Sequence, residues 1–203
     1  VIDFIQILGS VLDLGTPSDN TVSFAKLTAT GTKDATTFLR GDNTFASASG
    51  IFESALLHVI DEKSTQTQGG SLSSGADNVR TLNTVKTNEI SGASLSSNAI
   101  TLPSGTYFLD AKALNYKTAS ARLTWRNTTD SSNTIIGMMA YQNNANGAAT
   151  YNFISGRFTI AATKVFNLQH RVQTTDANGA GYQDDGLDSK SCIYCDVKLW
   201  KVA

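Results

Sequence analysis

Charge is scarce in this 203-residue chain: Asp, Glu, Lys and Arg make up 16% of it, and sixteen basic residues against seventeen acidic ones leave a formal net charge of -1. A nucleic-acid surface needs a local excess of Lys and Arg, and here the bases are scattered among the acids, so no nucleic-acid partner is expected. Long apolar runs are missing too. Nothing approaches the roughly 20 residues of a membrane helix, and the apolar opening at residues 1–8 is interrupted by Asp3 and Gln6. Membrane insertion is therefore not expected. That opening also lacks the basic start and small-residue cleavage site of a secretory signal. A chain starting at Val rather than Met reads as a fragment of something longer. Only two prolines, two cysteines and two histidines are present.

The rare residues exclude most chemistry. Cys192 and Cys195 form a C-x-x-C pair, a spacing shared by redox centres and half zinc sites. A metal would need further ligands, and neither His58 nor His170 stands at a recognisable spacing from them. Residues three apart on a strand face opposite sides, so the thiols read as one core and one surface group. No G-x-S-x-G elbow and no Gly-rich phosphate loop followed by Lys occurs. Asp176, Asp184, Asp185 and Asp188 share one long segment and could supply a glycosidase pair or a calcium site. EF-hand spacing is absent, and Asp among Asn178, Gly179, Gly181 and Gly186 is ordinary loop composition. No catalytic residue, metal or cofactor is expected.

What is abundant is Thr, Ser, Asn and Gly, which favour pleated surfaces and tight turns. The first fifty residues hold short apolar pieces broken at 15–20, 31–34 and 41–43. None is long enough to close a core of its own, so 1–50 reads as a shaft or collar whose copies share a core. Residues 51–203 read as the head domain, with strands at 51–59, 79–83, 99–102, 106–111, 121–126, 135–141, 151–160, 165–172 and 192–202. Tyr107, Leu109 and Ala111 alternate inward, as do Ala121, Leu123 and Trp125 with both neighbouring arginines outward. Phe166, Leu168 and His170 share a face. On the last strand Ile193, Cys195, Val197 and Leu199 take one side, and Tyr194, Asp196, Lys198 and Trp200 the other. Eight or more strands in about 150 residues imply a sandwich or barrel.

Connection lengths add a direction. In an antiparallel path, the long segments at 142–149 and 174–190 share an end with 115–118. The tight turns at 103–105 and 161–163 share the other end with both termini of the domain. One elaborated, distal face results. Its candidate ligand-binding residues are Asn115, Tyr116, Tyr141, Gln142, Asn143, Asn144, Asn146, Asp176, Asn178, Tyr182, Gln183, Asp184 and Asp185. The tyrosines suit stacking on sugar rings, and the amides offer paired donors and acceptors.

Several segments resemble a bacteriophage pattern. Gly31-Thr32 through Thr36-Thr37-Phe38-Leu39-Arg40-Gly41-Asp42-Asn43-Thr44-Phe45-Ala46 resembles the linker G-T-x-x-x-T-F-L-R-G-D-G-T-W-A that precedes many fibre tips, with Asn43 and Phe45 in place of Gly and Trp. Gly69-Gly70-Ser71-Leu72, Arg80-Thr81-Leu82-Asn83-Thr84 and Ile100-Thr101-Leu102-Pro103-Ser104-Gly105-Thr106-Tyr107 are similar to successive signatures of a trimeric fibre head. Phe158-Thr159-Ile160, residues 166–171 and Leu199-Trp200-Lys201 continue it in order. The resemblance spans roughly 31–202. It implies an all-β, antiparallel jelly-roll sandwich of the C1q/TNF-like kind, homotrimeric and preceded by a short shaft or collar. It also implies a place in the virion, on a tail or head fibre assembled in the bacterial cytoplasm. The implied partners are two further copies of the chain, an upstream fibre or virion protein, and a host-surface glycan or outer-membrane protein. In a trimer Tyr194 and Trp200, an apolar stripe a monomer would expose, become interface. A structural decoration without a ligand, and a polysaccharide depolymerase, are the alternatives.

Overall fold

A computed structural model describes residues 28–35, 37–47, 55–142, 147–183, 186 and 188–202. Most of the expected shaft, residues 1–27, lies outside the described residues, as do the site candidates Asn143, Asn144, Asn146, Asp184 and Asp185. The chain divides into two compact units, Val1–Ile51 and Phe52–Ala203.

In the first unit β1 (Thr37–Leu39) and β2 (Phe45–Ser47) form an antiparallel hairpin. Its turn is built by the Gly41-Asp42-Asn43 break. Asn43 takes the left-handed conformation (φ 62°), and Asp42 Oδ1 accepts from the Thr44 hydroxyl at 2.6 Å and the Thr44 N–H at 3.1 Å. That hydroxyl bond holds the Asp42 carboxyl below its usual range.

The second unit holds β3 (Ala55–Lys63), β4 (Asn78–Val79), β5 (Thr84–Asn88), β6 (Ser94–Ser96), β7 (Ala99–Leu102), β8 (Gly105–Tyr116), β9 (Ser120–Asn127), β10 (Ser132–Ile136), β11 (Ala140–Tyr141), β12 (Ala149–Ile160), β13 (Lys164–Val172) and β14 (Cys192–Lys201). One sheet runs β12-β8-β14-β3-β5, and the other runs β10-β9-β13-β7-β6, with β11 on β9 and β4 on β13. From β8 onward the long strands β8, β9, β12, β13 and β14 alternate between the sheets, and β3 lies beside the last strand, β14. This order is a jelly roll, as the sequence led one to expect.

Period-two alternation places the core. Tyr107, Leu109, Ala111 and Ala113 of β8 point inward, against Leu123 and Trp125 of β9 and Phe166 and Leu168 of β13. Trp125 stacks on Phe166 with ring centroids 5.3 Å apart and planes 4° apart. Such a pair contributes about 0.5–1.5 kcal/mol beyond its area burial. The strand expected at 51–59 is described from Ala55, and that expected at 79–83 is only the two-residue β4. The strand expected at 135–141 breaks into β10 and β11. Gly137 lies between them, where an added Cβ would sit 2.7 Å from the Phe153 carbonyl oxygen.

β14 carries the most consequential departure from alternation. Its register on β3 shifts between Ile193 and Cys195. A bulge lets two successive residues oppose one, so Tyr194 and Cys195 are both buried while Ile193 faces out. The assignment of Ile193 to the core side and Tyr194 to the outer side is corrected accordingly. Beyond the bulge Val197 and Leu199 point inward, and Asp196, Lys198 and Trp200 outward.

The strand registers place the long and the short connections at opposite ends of the domain. Tyr116 lies opposite Ala149, Val172 opposite Ala121, and Cys192 opposite Lys63. The connections 117–119, 142–148, 173–191 and 64–77 therefore share one end. Gly105 opposite Ile160 and Lys201 opposite Ala55 place the tight turns and both outer strand termini at the other.

Candidate functional site

The elaborated end is braced from inside. Two non-glycine residues there, Lys117 (φ 52°) and Ala119 (φ 59°), take the left-handed conformation, at a cost of about 1–2 kcal/mol each. A buried amide network holds them. The Gln142 side chain is oriented so that its oxygen accepts from the N–H groups of Lys117 (2.7 Å) and Thr118 (2.9 Å), while its nitrogen donates to the Ala148 carbonyl (2.6 Å). The Asn115 amide is hydrogen-bonded to the Thr118 hydroxyl. Asn115 and Gln142 are thus buried, and their assignment as ligand-facing residues is corrected: they shape the loop that carries Tyr116 and Lys117. The signal for Asn115 was in the sequence, since it continues the inward series Tyr107, Leu109, Ala111, Ala113.

Above that network the Tyr116 and Tyr182 rings sit 4.9 Å apart, and Lys117 Nζ lies 5.3 Å from the Tyr116 centroid. Tyr182 and Tyr141 are exposed, and Gln183 is half-buried, its N–H donating to Gln68 Oε1 at 3.1 Å. Asp176 Oδ1 accepts from the Asn178 N–H at 2.7 Å, so these two residues close a turn. The loop 64–77, which carries no site candidate in the sequence reading, pairs directly with the 173–191 loop. Leu72 and Asp176 exchange backbone hydrogen bonds, and Gly69 N–H donates to the Gly181 carbonyl.

One residue ties this end to both sheets, its backbone N–H donating to Leu168 of β13 at 2.8 Å and its side chain reaching β8 and β14. Arg80, fully buried, donates through Nη2 to the carbonyls of Ala180 and Tyr194, each at 2.9 Å, and through Nη1 to Leu114 at 3.4 Å. Gly181 is needed where the loop crosses Tyr194, because its φ is +144° and a Cβ would lie 2.1 Å from the Tyr194 ring. Tyr194 in turn donates its hydroxyl to the Thr67 carbonyl at 2.6 Å. Tyr194 is therefore a buried loop anchor and not an interface residue.

The flanks of the domain carry two different apolar surfaces. On the outer face of the first sheet Leu56, Trp200 and Phe108 share one rung, with the Phe108 and Trp200 rings 6.1 Å apart. Tyr151 and Phe153 of β12 lie on the same face, and Phe108, Tyr151 and Phe153 are 42–51% exposed. At its centre Asp196 gathers His58 Nε2 (2.9 Å), Lys198 Nζ (3.1 Å) and Lys112 Nζ (3.7 Å). At the edge of the second sheet Ile136, Met138, Met139 and Tyr141 are 56–74% exposed.

No protein-family model matches the chain, and no curated protein matches it. Among solved structures the chain is similar to the globular domain of zebrafish complement 1qA, at 10% identity over 74% of this chain and 98% of that one, with a TM-score of 0.47. It is also similar to murine APRIL, at 9% identity over 73% of this chain and 99% of that one, with a TM-score of 0.44. The jelly-roll order itself is read from the hydrogen-bonded registers above.

His170, Cys195 and Asp188 are held by the fold. His170 is buried, with Nε2 3.0 Å from Asn152 Oδ1. Burial, then the Arg80 charge, pushes its pKa down to about 3. Cys195 is buried and its thiol is pushed up to about 11 by burial, while Cys192 is partly exposed. Asp188 accepts from the Lys190 N–H at 2.8 Å. Among the described residues no group of three or more His, Cys, Asp or Glu is placed to hold a metal ion.

Proposed function

We propose that this chain is the trimeric head of a bacteriophage fibre, which binds a host-surface glycan or outer-membrane protein during adsorption and has no catalytic role. The observation that carries the reading is the distribution of free surface. Two groups of exposed apolar side chains, Phe108–Trp200 with Tyr151 and Phe153, and Ile136–Tyr141, lie on the flanks, and the elaborated loops collect at the end remote from both outer strand termini. A two-fold dimer pairs like with like and would cover one apolar flank. A cyclic, head-to-tail arrangement seats the Ile136–Met139 edge of one copy against the Phe108–Trp200 face of the next, covering both. Three copies then present three loop ends in parallel, which multiplies weak contacts with a repeated receptor into firm attachment. The ordered motif series from residue 31 to 202 supports the fibre setting, with assembly in the bacterial cytoplasm and attachment to an upstream virion protein.

The test is adsorption. Purified protein should bind intact host cells, and exchanging residues 174–190 for an unrelated loop should abolish binding while leaving assembly intact. Assembly without binding to any host cell would replace the receptor role with that of a structural decoration. Reducing ends released from host polysaccharide would overturn the non-enzymatic reading.

A further inference from the structure

The outer face of the second sheet holds an arrangement that the adsorption reading does not use. Arg122 of β9 and Arg171 of β13 are direct register partners. Their neighbours Ala121, Leu123, His170 and Val172 are buried, so both guanidinium groups lie on the outward face. Like charges directly opposite on antiparallel strands repel. One carboxylate answers them: Asp77 Oδ1 lies 2.9 Å from Arg171 Nη1, and Arg122 has no ion-pair partner among the described residues. The next rungs are polar rather than acidic: Thr124 faces Gln169, and Arg126 faces Asn167 while donating to Asn133 at 3.0 Å. The surface thus places two fixed cations side by side on rigid central strands, with hydrogen-bonding amides beside them.

We propose that Arg122 and Arg171 form a recognition site for a phosphomonoester group. A carboxylate has two oxygens and is satisfied by one bidentate arginine. Two opposed guanidiniums instead match a dianion with three terminal oxygens, which accepts from both forks at once and cancels their repulsion. The site sits on the sheet opposite the Phe108–Trp200 face. That the phosphate is borne by a sugar of the host surface rests on the adsorption reading; the anion site itself rests on the register alone.

The experiment titrates the intact chain with inorganic phosphate, glucose 6-phosphate, glucose and dimethyl phosphate, following the arginine Nε–Hε resonances and the thermal midpoint. Phosphate and glucose 6-phosphate should shift the Arg122 and Arg171 resonances and raise the midpoint. The singly charged diester should act more weakly, and glucose should have no effect. Arg122→Gln and Arg171→Gln should each weaken binding about tenfold, and Arg126→Gln should leave it within about twofold. Unshifted resonances at millimolar phosphate, or equal binding by the R122Q/R171Q double variant, would overturn the proposal. Phosphate binding without any host-cell adsorption would leave this site standing and remove the receptor reading.

Discussion

Lowering the pH from 7 to 5 should cost the folded chain about 2 kcal/mol through one side chain, His170. Its Nε2–H bonds Asn152 Oδ1, and Asn152 Nδ2 donates onward to the Ala121 carbonyl at 2.7 Å. The other ring nitrogen, Nδ1, is buried without an acceptor. A second proton would therefore be both desolvated and unbonded, and Arg80 adds repulsion. In the unfolded chain the imidazole gains its proton as pH falls through about 6.5. In the folded chain it does so only near 3. Between these values the unfolded state binds one more proton, so stability falls as pH falls, by about 1.36 kcal/mol per unit. Above 6.5 the contribution is constant. From 6.5 to 5 the loss is about 2 kcal/mol. Asp61, whose pKa is raised by burial, acts oppositely, its contribution being lost as pH rises through its folded pKa. Subtracting a variant removes that overlap. Urea unfolding at fixed protein concentration, at pH 7, 6 and 5, should show the loss in the native chain and a flatter profile in His170→Gln. Equal pH dependence in the two proteins, or an imidazole carbon resonance of His170 that titrates near 6.5 in the folded state, would refute the reasoning.

Arg80→Met should destabilise the head by about 3 kcal/mol or more, because it strands buried carbonyls and takes away one of the two cations near buried Asp61, leaving Lys63 alone; amide exchange should rise first in residues 173–183. Gly181→Ala should cost more than about 1 kcal/mol, since its φ and the Tyr194 ring both oppose a side chain. A melt showing no change would contradict the crossing described here. Iodoacetamide should label the partly exposed Cys192 in the native protein and spare buried Cys195 until unfolding. Two fast-reacting thiols in the native chain would show that Cys195 is accessible.

Much of the architecture was legible because it depends on periods and lengths. Strands β8, β9 and β13 show clean alternation, and parity along an antiparallel path put 115–118, 142–149 and 174–190 at one end and 103–105 and 161–163 at the other, where the registers have them. What escaped depends on single-residue insertions and on long-range polar bonds. The bulge at Ile193–Cys195 reversed the side of Tyr194, and no propensity marks a bulge of this kind. Gln142 sits in an Asn-rich stretch that reads as solvated, yet its amide finds backbone groups of the 117–119 turn that are distant in sequence. Arg80 was noted as part of a motif, but its role as a buried clamp needs the Ala180, Leu114 and Tyr194 carbonyls, up to 114 residues away. Trp200 was read as outward, and the register bears this out because it lies beyond the bulge.

The solution mass tests the account most directly. Light scattering on the purified chain should give about three times 21.6 kDa, and the pair Phe108→Glu with Trp200→Glu should drop it to a single chain by placing charge in a buried apolar contact. A stable, soluble species of 21.6 kDa from the unaltered chain, with Phe108 and Trp200 facing water, would contradict it.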